Sequence, residues 1–366
     1  MIYLVTNQLS LFENPKYTII NVEESIALLE KFNVVQYDSE TNGTNAHINS
    51  ITCIQFGNKT LDTQIVVDTS TVNIQHYKTI LESKYLIMQN GKFDLQFLYT
   101  NNIIPTKVYD TMIVEQLLYL GFPAKGQYGG IGFGLNDIAE RYLGIYIDKS
   151  IREDFTWRGL DDATITYAAN DVVYLEDIMQ AQITKCKEKN CLVGAKLECD
   201  FVPVIAYLEW CGITLDEKVW TQKMDKDTAA LEECVKELND LAISWGDNRF
   251  FFINLQGDLF LGFDTTPKCT INWSSSKQVI EVAKFLGFNT KTQDKKTGNW
   301  KDSVEEKQLQ SQKGINDEFL KKYFKYQECV KVCTTYGQNY LNAINPKTGR
   351  IHTKFRQLGA SSGRMT

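Results

Sequence analysis

The sequence predicts an α/β fold followed by a mostly helical region, and three observations carry that prediction. Short β-rich runs separated by Asn/Gly/Thr turns crowd the first third of the chain, helical periodicity takes over after about residue 90, and beyond residue 195 almost every periodic segment is helical. Tyr17–Ile20 reads as a strand and Val22–Phe32 as an amphipathic helix, with Val22, Ile26, Leu29 and Phe32 on one face. Val34–Glu40, Ser50–Gly57 and Gln64–Asp68 read as strands, followed by a helix near Ile74–Leu81 and a short buried strand, Leu86–Met88. Helices are then expected at about Gly91–Thr100, Asp110–Leu120, Leu135–Leu143 and Asp161–Lys187, which closes a first domain near residue 190.

The second region, 191–366, opens with a helix at Glu198–Cys211, broken by Gly212 before the extended Ile213–Asp216. Long helices follow at about Lys218–Ile243 and Phe319–Ala343. A shorter one, Ser275–Leu286, takes its N-cap from the Ser274–Ser276 run. Lys291–Lys301 has no apolar periodicity and reads as a mobile loop.

At 366 residues, with 43% hydrophobic and 23% charged residues, the chain is long enough for two packed cores and has the composition of a globular protein. No apolar run approaches the roughly 20 residues that cross a bilayer, and the N-terminus lacks the basic start and apolar stretch of a signal peptide. A cytoplasmic protein with no membrane partner is expected. The nine cysteines form no CxxC pair, so they read as reduced thiols rather than a disulfide framework or zinc ribbon. The net charge of −6 is unevenly spread: from Lys321 onward nine Lys/Arg residues face one acid, Glu328. An acidic half joined to a basic clamp suits a metal-dependent nuclease.

Asp38 and Glu40 lie two apart in a strand, so their side chains leave one face. Two such close carboxylates repel unless a cation lies between them. Magnesium and manganese favour oxygen ligands, and a pair of such ions about 3.5–4 Å apart supports phosphodiester hydrolysis. Asn90 to Asp94 then places an acid in the first turn of a helix after a buried strand, and Tyr167 and Asp171 stand at i and i+4 on one helical face. The three histidines, His47, His76 and His352, fall outside these motifs, which disfavours histidine-based hydrolysis. Asp110, Asp161 and Asp162 each read as helix N-caps, and Gly126–Gly134 as a flexible loop without phosphate-loop spacing. Tyr323, Phe324, Tyr326, Tyr336 and Tyr340 read as packing residues on a long helix.

The order DxE, NxxxD, YxxxD resembles the proofreading 3′-5′ exonucleases that carry four acids and a tyrosine, in particular the ribonuclease H-like domain attached to family A DNA polymerases. The resemblance runs through Tyr37–Thr41, Gln89–Asp94 and Tyr167–Asp171. It implies two Mg2+ or Mn2+ ions, one held by Asp38, Glu40 and Asp171 and one by Asp38 with Asp94 through water. It further implies that Tyr167 orients the attacking water, that Gln89 and Asn90 contact the terminal nucleotides, and that Thr41, Gly43 and Thr44 lie under the last base.

The second region is similar to the start of the family's polymerase module. Glu198–Ile213 looks like its opening helix and turn, Ile271–Gln278 like the segment introducing the thumb, and Gly349–Arg364 like a DNA-contacting strand and turn. Arg350, Lys354, Arg356, Ser362 and Arg364 are the expected DNA contacts there. The family's palm and fingers motifs do not occur in these residues, so a thumb-like region and no primer extension are expected. The main expectation is a DNA exonuclease acting on single-stranded 3′ ends. The alternative is a DNA-binding subunit that holds primer–template for a second polypeptide carrying palm and fingers.

Overall fold

The computed structural model describes residues 1–8, 16–123, 125–127, 129–147, 160–253, 266–294 and 298–366. Packing divides them into two units, Met1–Ile213 with Asn345–Thr366, and Thr214–Ile344. The boundary expected at residue 190 therefore falls inside the first unit. The reason is the helix Leu192–Cys211, whose Val202 and Ala206 share a core with Val35 and Ile54 of the sheet.

The first unit is built on a seven-stranded mixed sheet. Its strands are β1 (Ile2–Val5), β2 (Tyr17–Ile19), β3 (Val34–Thr41), β4 (Ile51–Asn58), β5 (Thr63–Asp68), β6 (Tyr85–Met88) and β7 (Val108–Asp110), in the order β2-β1-β5-β4-β3-β6-β7. β3 and β5 run antiparallel to β4, and the remaining pairs are parallel. Alternation sorts the side chains. Val35 and Tyr37 of β3, with Ile54 and Phe56 of β4, join one core, whereas Cys53 of β4 and Val66 of β5 join another on the opposite face.

Helices α1 (Val22–Glu30), α2 (Lys78–Ser83) and α3 (Gly91–Thr100) serve the first core. Asn21 and Glu24 form a reciprocal capping box at the start of α1. Then come α4 (Thr111–Leu118), α5 (Leu135–Leu143), α6 (Asp162–Val173), α7 (Leu175–Glu188) and α8 (Leu192–Cys211). Ile165, Ala168 and Ala169 of α6 lie in the core on the other face, with Cys53 and Val66. The helix expected over Asp161–Lys187 breaks at Tyr174, where the Glu176 N–H donates to the Gln36 side chain of β3 (2.9 Å).

The second unit pairs a long helix, Glu217–Ser244, with Asp317–Lys331, around a core that includes Leu238, Trp273, Val279, Phe319 and Tyr323. Fully burying a side chain such as Leu238 contributes about 1.5–3 kcal/mol. Tyr323 and Tyr326 are buried, as their packing reading requires, whereas Tyr336, given the same reading, is exposed. The long helix expected over Phe319–Ala343 gives way to a wider π turn at Val332–Tyr336 before Gly337–Asn342. The expected loop at Lys291–Lys301 instead contributes most of a hairpin, Lys291–Gln293 against Trp300–Asp302, its tip lying outside the described residues. Among the described residues no helix is long and apolar enough to cross a membrane.

Candidate active site

Asp38 and Glu40 stand opposite Gln55 and Cys53 of β4, and a register shift between Glu40 and Thr41 turns the strand out of the sheet. The loop that follows is held by its own polar groups. Thr41 Oγ1 donates to the Gly43 carbonyl (2.7 Å), the Ser50 N–H to Asn42 Oδ1 (2.8 Å) and the Asn45 N–H to Asn49 Oδ1 (3.0 Å). A Cβ at Gly43 would come within 2.5 Å of the Asn49 amide and push it from its place beside the Asn45 N–H.

Asp161 caps α6 by accepting from the Thr164 N–H (2.8 Å). Asp162, expected as a cap, is instead the first helical residue and accepts from the Tyr17 hydroxyl (2.8 Å). Tyr167 and Asp171, both buried, follow one turn apart on α6. Carboxylate oxygens of Asp38, Glu40 and Asp171 all lie within 4.8 Å of one another. Three acids this close repel one another, and a cation between them would offset that repulsion. A set of oxygen donors without thiolate or imidazole suits a hard divalent ion, so the residues fit the metal that the motifs imply.

Beyond β6 the backbone of Asn90 is left-handed (φ 59°), a conformation asparagine tolerates, and α3 starts at once. One buried carboxylate fixes this turn. Asp110 accepts from the N–H groups of Asn90 (3.2 Å), Gly91 (2.8 Å), Met112 (2.9 Å) and Ile113 (3.2 Å), so it caps α4 as expected and also pins the start of α3. Burial pushes its carboxyl above the usual range, against the pull of those four donors. Gln89 donates to the Phe133 carbonyl (2.9 Å) and accepts from the Thr111 hydroxyl.

Asp94, in the first turn of α3, is 3% exposed and accepts from the Ser39 hydroxyl (2.6 Å). Burial pushes its carboxyl up to about 7, with the Asp110 charge adding to the rise and the Ser39 hydroxyl opposing it. Asp94 does not belong to the group of three oxygens, yet it borders the same space.

That space is a cavity of about 630 Å³. Its walls bring together Asp38, Glu40, Asp94, Tyr167 and Asp171 with Thr41, Gly43, Thr44, Gln89 and Asn90, every residue expected of the exonuclease site. The expected contacts after Arg350 lie outside it. Arg356 lines a second cavity of about 560 Å³, which shares Asn90, Met112 and Phe133 with the first. Arg350 donates to the Gly212 carbonyl (3.2 Å), while Lys354, Ser362 and Arg364 line neither cavity. Ser39, Met112 and Phe133 were not among the expected site residues, although Ser39, set between two acids of the first motif, was open to notice.

Residues 16–185 match the family model described as 3′-5′ exonuclease, and residues 263–366 the model described as DNA polymerase family A. The chain is 25% identical over 365 residues to a DNA polymerase I of Aquifex aeolicus, covering 94% of this chain and 54% of that one. It is 27% identical over 378 residues to a DNA polymerase I of Borreliella burgdorferi, covering 97% and 37%. It thus spans about half the length of these relatives, or less. Among solved structures it resembles the polymerase domain of Pol1 from M. smegmatis in complex with DNA primer-template and dNTP, with a TM-score of 0.68 and 16% identity. That likeness covers all of this chain and 54% of the other, and concerns the fold.

Proposed function

We propose, from the premise that this chain belongs to the family A DNA polymerases and carries their 3′-5′ exonuclease domain, that the carboxylate cavity hydrolyses the terminal phosphodiester of a single-stranded DNA 3′ end. The observation that carries this reading is the meeting of Asp38, Glu40 and Asp171 within 4.8 Å, with Tyr167 and Asp94 on the walls of the same cavity. Asp38, Glu40 and Asp171 would hold one Mg2+ or Mn2+, and Asp38 with Asp94 a second. Bound there, such cations lower the pKa of water and stabilise charge developing on the phosphate.

The protein's own groups do the positioning. The Tyr167 hydroxyl orients the water that attacks phosphorus. Gln89 and Asn90, on a turn fixed by Asp110, hold the last nucleotides. The loop from Thr41 to Thr44 supports the terminal base. Arg350, Lys354, Arg356, Ser362 and Arg364 contact phosphates further along the DNA.

The test is end-resolved hydrolysis of a single-stranded oligonucleotide with magnesium or manganese. Stepwise loss from the 3′ end, with nucleoside 5′-monophosphates released, is expected. Release from the 5′ end, or equal rates on a blocked 3′ end, would overturn the proposal.

A further inference from the structure

Outside the carboxylate cluster, the first unit buries a hydrogen-bonded glutamate that sequence reading passes over. Glu209, on α8, is 4% exposed. Its Oε1 accepts from Lys92 Nζ (2.7 Å) and from the Phe355 N–H (2.5 Å), and its Oε2 accepts from Gln96 Nε2 (2.9 Å). Lys92 Nζ also donates to the Phe355 carbonyl (2.5 Å). A carboxylate this deeply buried is retained only when paired and fully hydrogen-bonded, and here it is both. The partners come from two places. Lys92 and Gln96 lie one turn apart on α3, two residues either side of Asp94, and Phe355 belongs to the stretch that rejoins this unit after Asn345.

Both main-chain polar groups of Phe355 are held by this network, and those of Arg356 are held by Thr366 (2.7 and 3.0 Å). The Arg356 side chain is exposed, enters no ion pair among the described residues, and lines the cavity that runs on from the carboxylate cavity through Asn90, Met112 and Phe133. With the main chain here held on both sides, the Arg356 guanidinium is within reach of a phosphodiester some nucleotides upstream of a 3′ end lying among the carboxylates.

We infer that Lys92 and Glu209 are positioning residues: through Phe355 they set Arg356 where it engages the upstream phosphates of a single strand whose 3′ end lies among the carboxylates. The inference rests on the exonuclease reading. It places the determinant of substrate length on α3 and α8, away from the reacting phosphate. A strand long enough to reach Arg356 gains from the network, and a dinucleotide does not.

The experiment measures kcat and KM for a dinucleotide and for a single-stranded 12-mer with wild-type protein, Lys92→Met, Arg356→Ala and the double variant, with circular dichroism as the check on folding. Lys92→Met is expected to raise KM for the 12-mer about tenfold, the loss of one charge-assisted contact, with kcat within about twofold and the dinucleotide unaffected. In the Arg356→Ala background the same change should have no further effect, because the two act as one unit. Glu209→Gln, which keeps volume and an acceptor, should move KM in the same direction and stands in if Lys92→Met fails to fold. Equal losses on both substrates, additive effects in the double variant, or an unchanged KM would overturn the inference. Wild-type protein that cleaves neither substrate would instead sink the exonuclease reading and this inference with it.

Discussion

Replacing Asp110 by Asn leaves the volume unchanged and turns one acceptor oxygen into a donor. In the folded protein Oδ1 serves three N–H groups, those of Asn90, Met112 and Ile113, and Oδ2 serves Gly91 alone. The amide therefore settles with its oxygen toward the three and its nitrogen toward Gly91. This leaves the Gly91 N–H without an acceptor at a site that is 0% exposed. A buried donor stripped of its partner costs about 1–3 kcal/mol, and weaker bonds to a neutral oxygen bring the total to about 2–4 kcal/mol. For a unit of this size that lowers the thermal midpoint by roughly 5–15 °C. The turn that loosens carries Asn90 and leads into the helix of Asp94, and misplacement near 1 Å costs about 10²-fold in rate. Asp161→Ala provides the contrast, since Asp161 accepts from one N–H at the start of α6 and its loss is an ordinary capping cost of about 0.5–2 kcal/mol. Thermal unfolding followed by circular dichroism, and 3′-end hydrolysis well below the midpoint, give the two readings. An Asp110→Asn protein with wild-type midpoint and rate would refute the claim that this carboxylate holds the turn.

Asp38→Ala combined with Glu40→Ala should abolish most hydrolysis while leaving the fold intact, and excess chelator should do the same to wild-type protein; full activity in either assay contradicts the metal reading. Tyr167→Phe removes only a hydroxyl and should slow hydrolysis on the order of 10²-fold with unchanged divalent-ion affinity, measured by calorimetry; a wild-type rate would make the tyrosine a packing residue. Burial, and the nearby His352 at a ring distance of 4.3 Å, hold the His47 imidazole below its usual pKa, with Lys347 adding to the effect. Between that lowered value and 6.5 the unfolded chain binds the proton and the folded one does not, so stability should fall as pH drops through this window. Denaturant titrations at stepped pH should show the slope, and its persistence unchanged in His47→Phe would remove His47 as its source.

The elements that the sequence declared were those whose signal is local. Asp38 and Glu40 alternate with Ser39 on a strand whose pleat puts them on one face, and Tyr167 and Asp171 repeat at a helical turn, so period alone assigned their faces. The meeting of those faces was legible only through the resemblance of the three motifs. β1 and β7 are four and three residues long and owe their place to pairing with β5 and β6, partners distant in the sequence. The hairpin at Lys291 has no apolar face to announce it. The break between α6 and α7 has neither proline nor glycine, and arises because Gln36, far back in β3, takes the Glu176 N–H. Asp110 looked like one helix cap because the second turn it holds approaches from another strand. Glu209 carried no signal, since its partners lie 117, 113 and 146 residues away.

The division of the chain into Met1–Ile213 with Asn345–Thr366 and an intervening Thr214–Ile344 makes the second unit an insertion within the first. On the ribosome this imposes a wait. When Ile213 has emerged, the sheet and its helices can collapse, but Glu209 still lacks one of its three donors and Lys92 one of its two acceptors. The inserted segment must be made first, which at about 5–20 residues per second takes on the order of 10 s. During that interval the nascent first unit holds a carboxylate only partly paired, and the closing contacts span more than 140 residues of chain. Protease pulses on stalled nascent chains should therefore find the first unit more open before Phe355 is translated than after it.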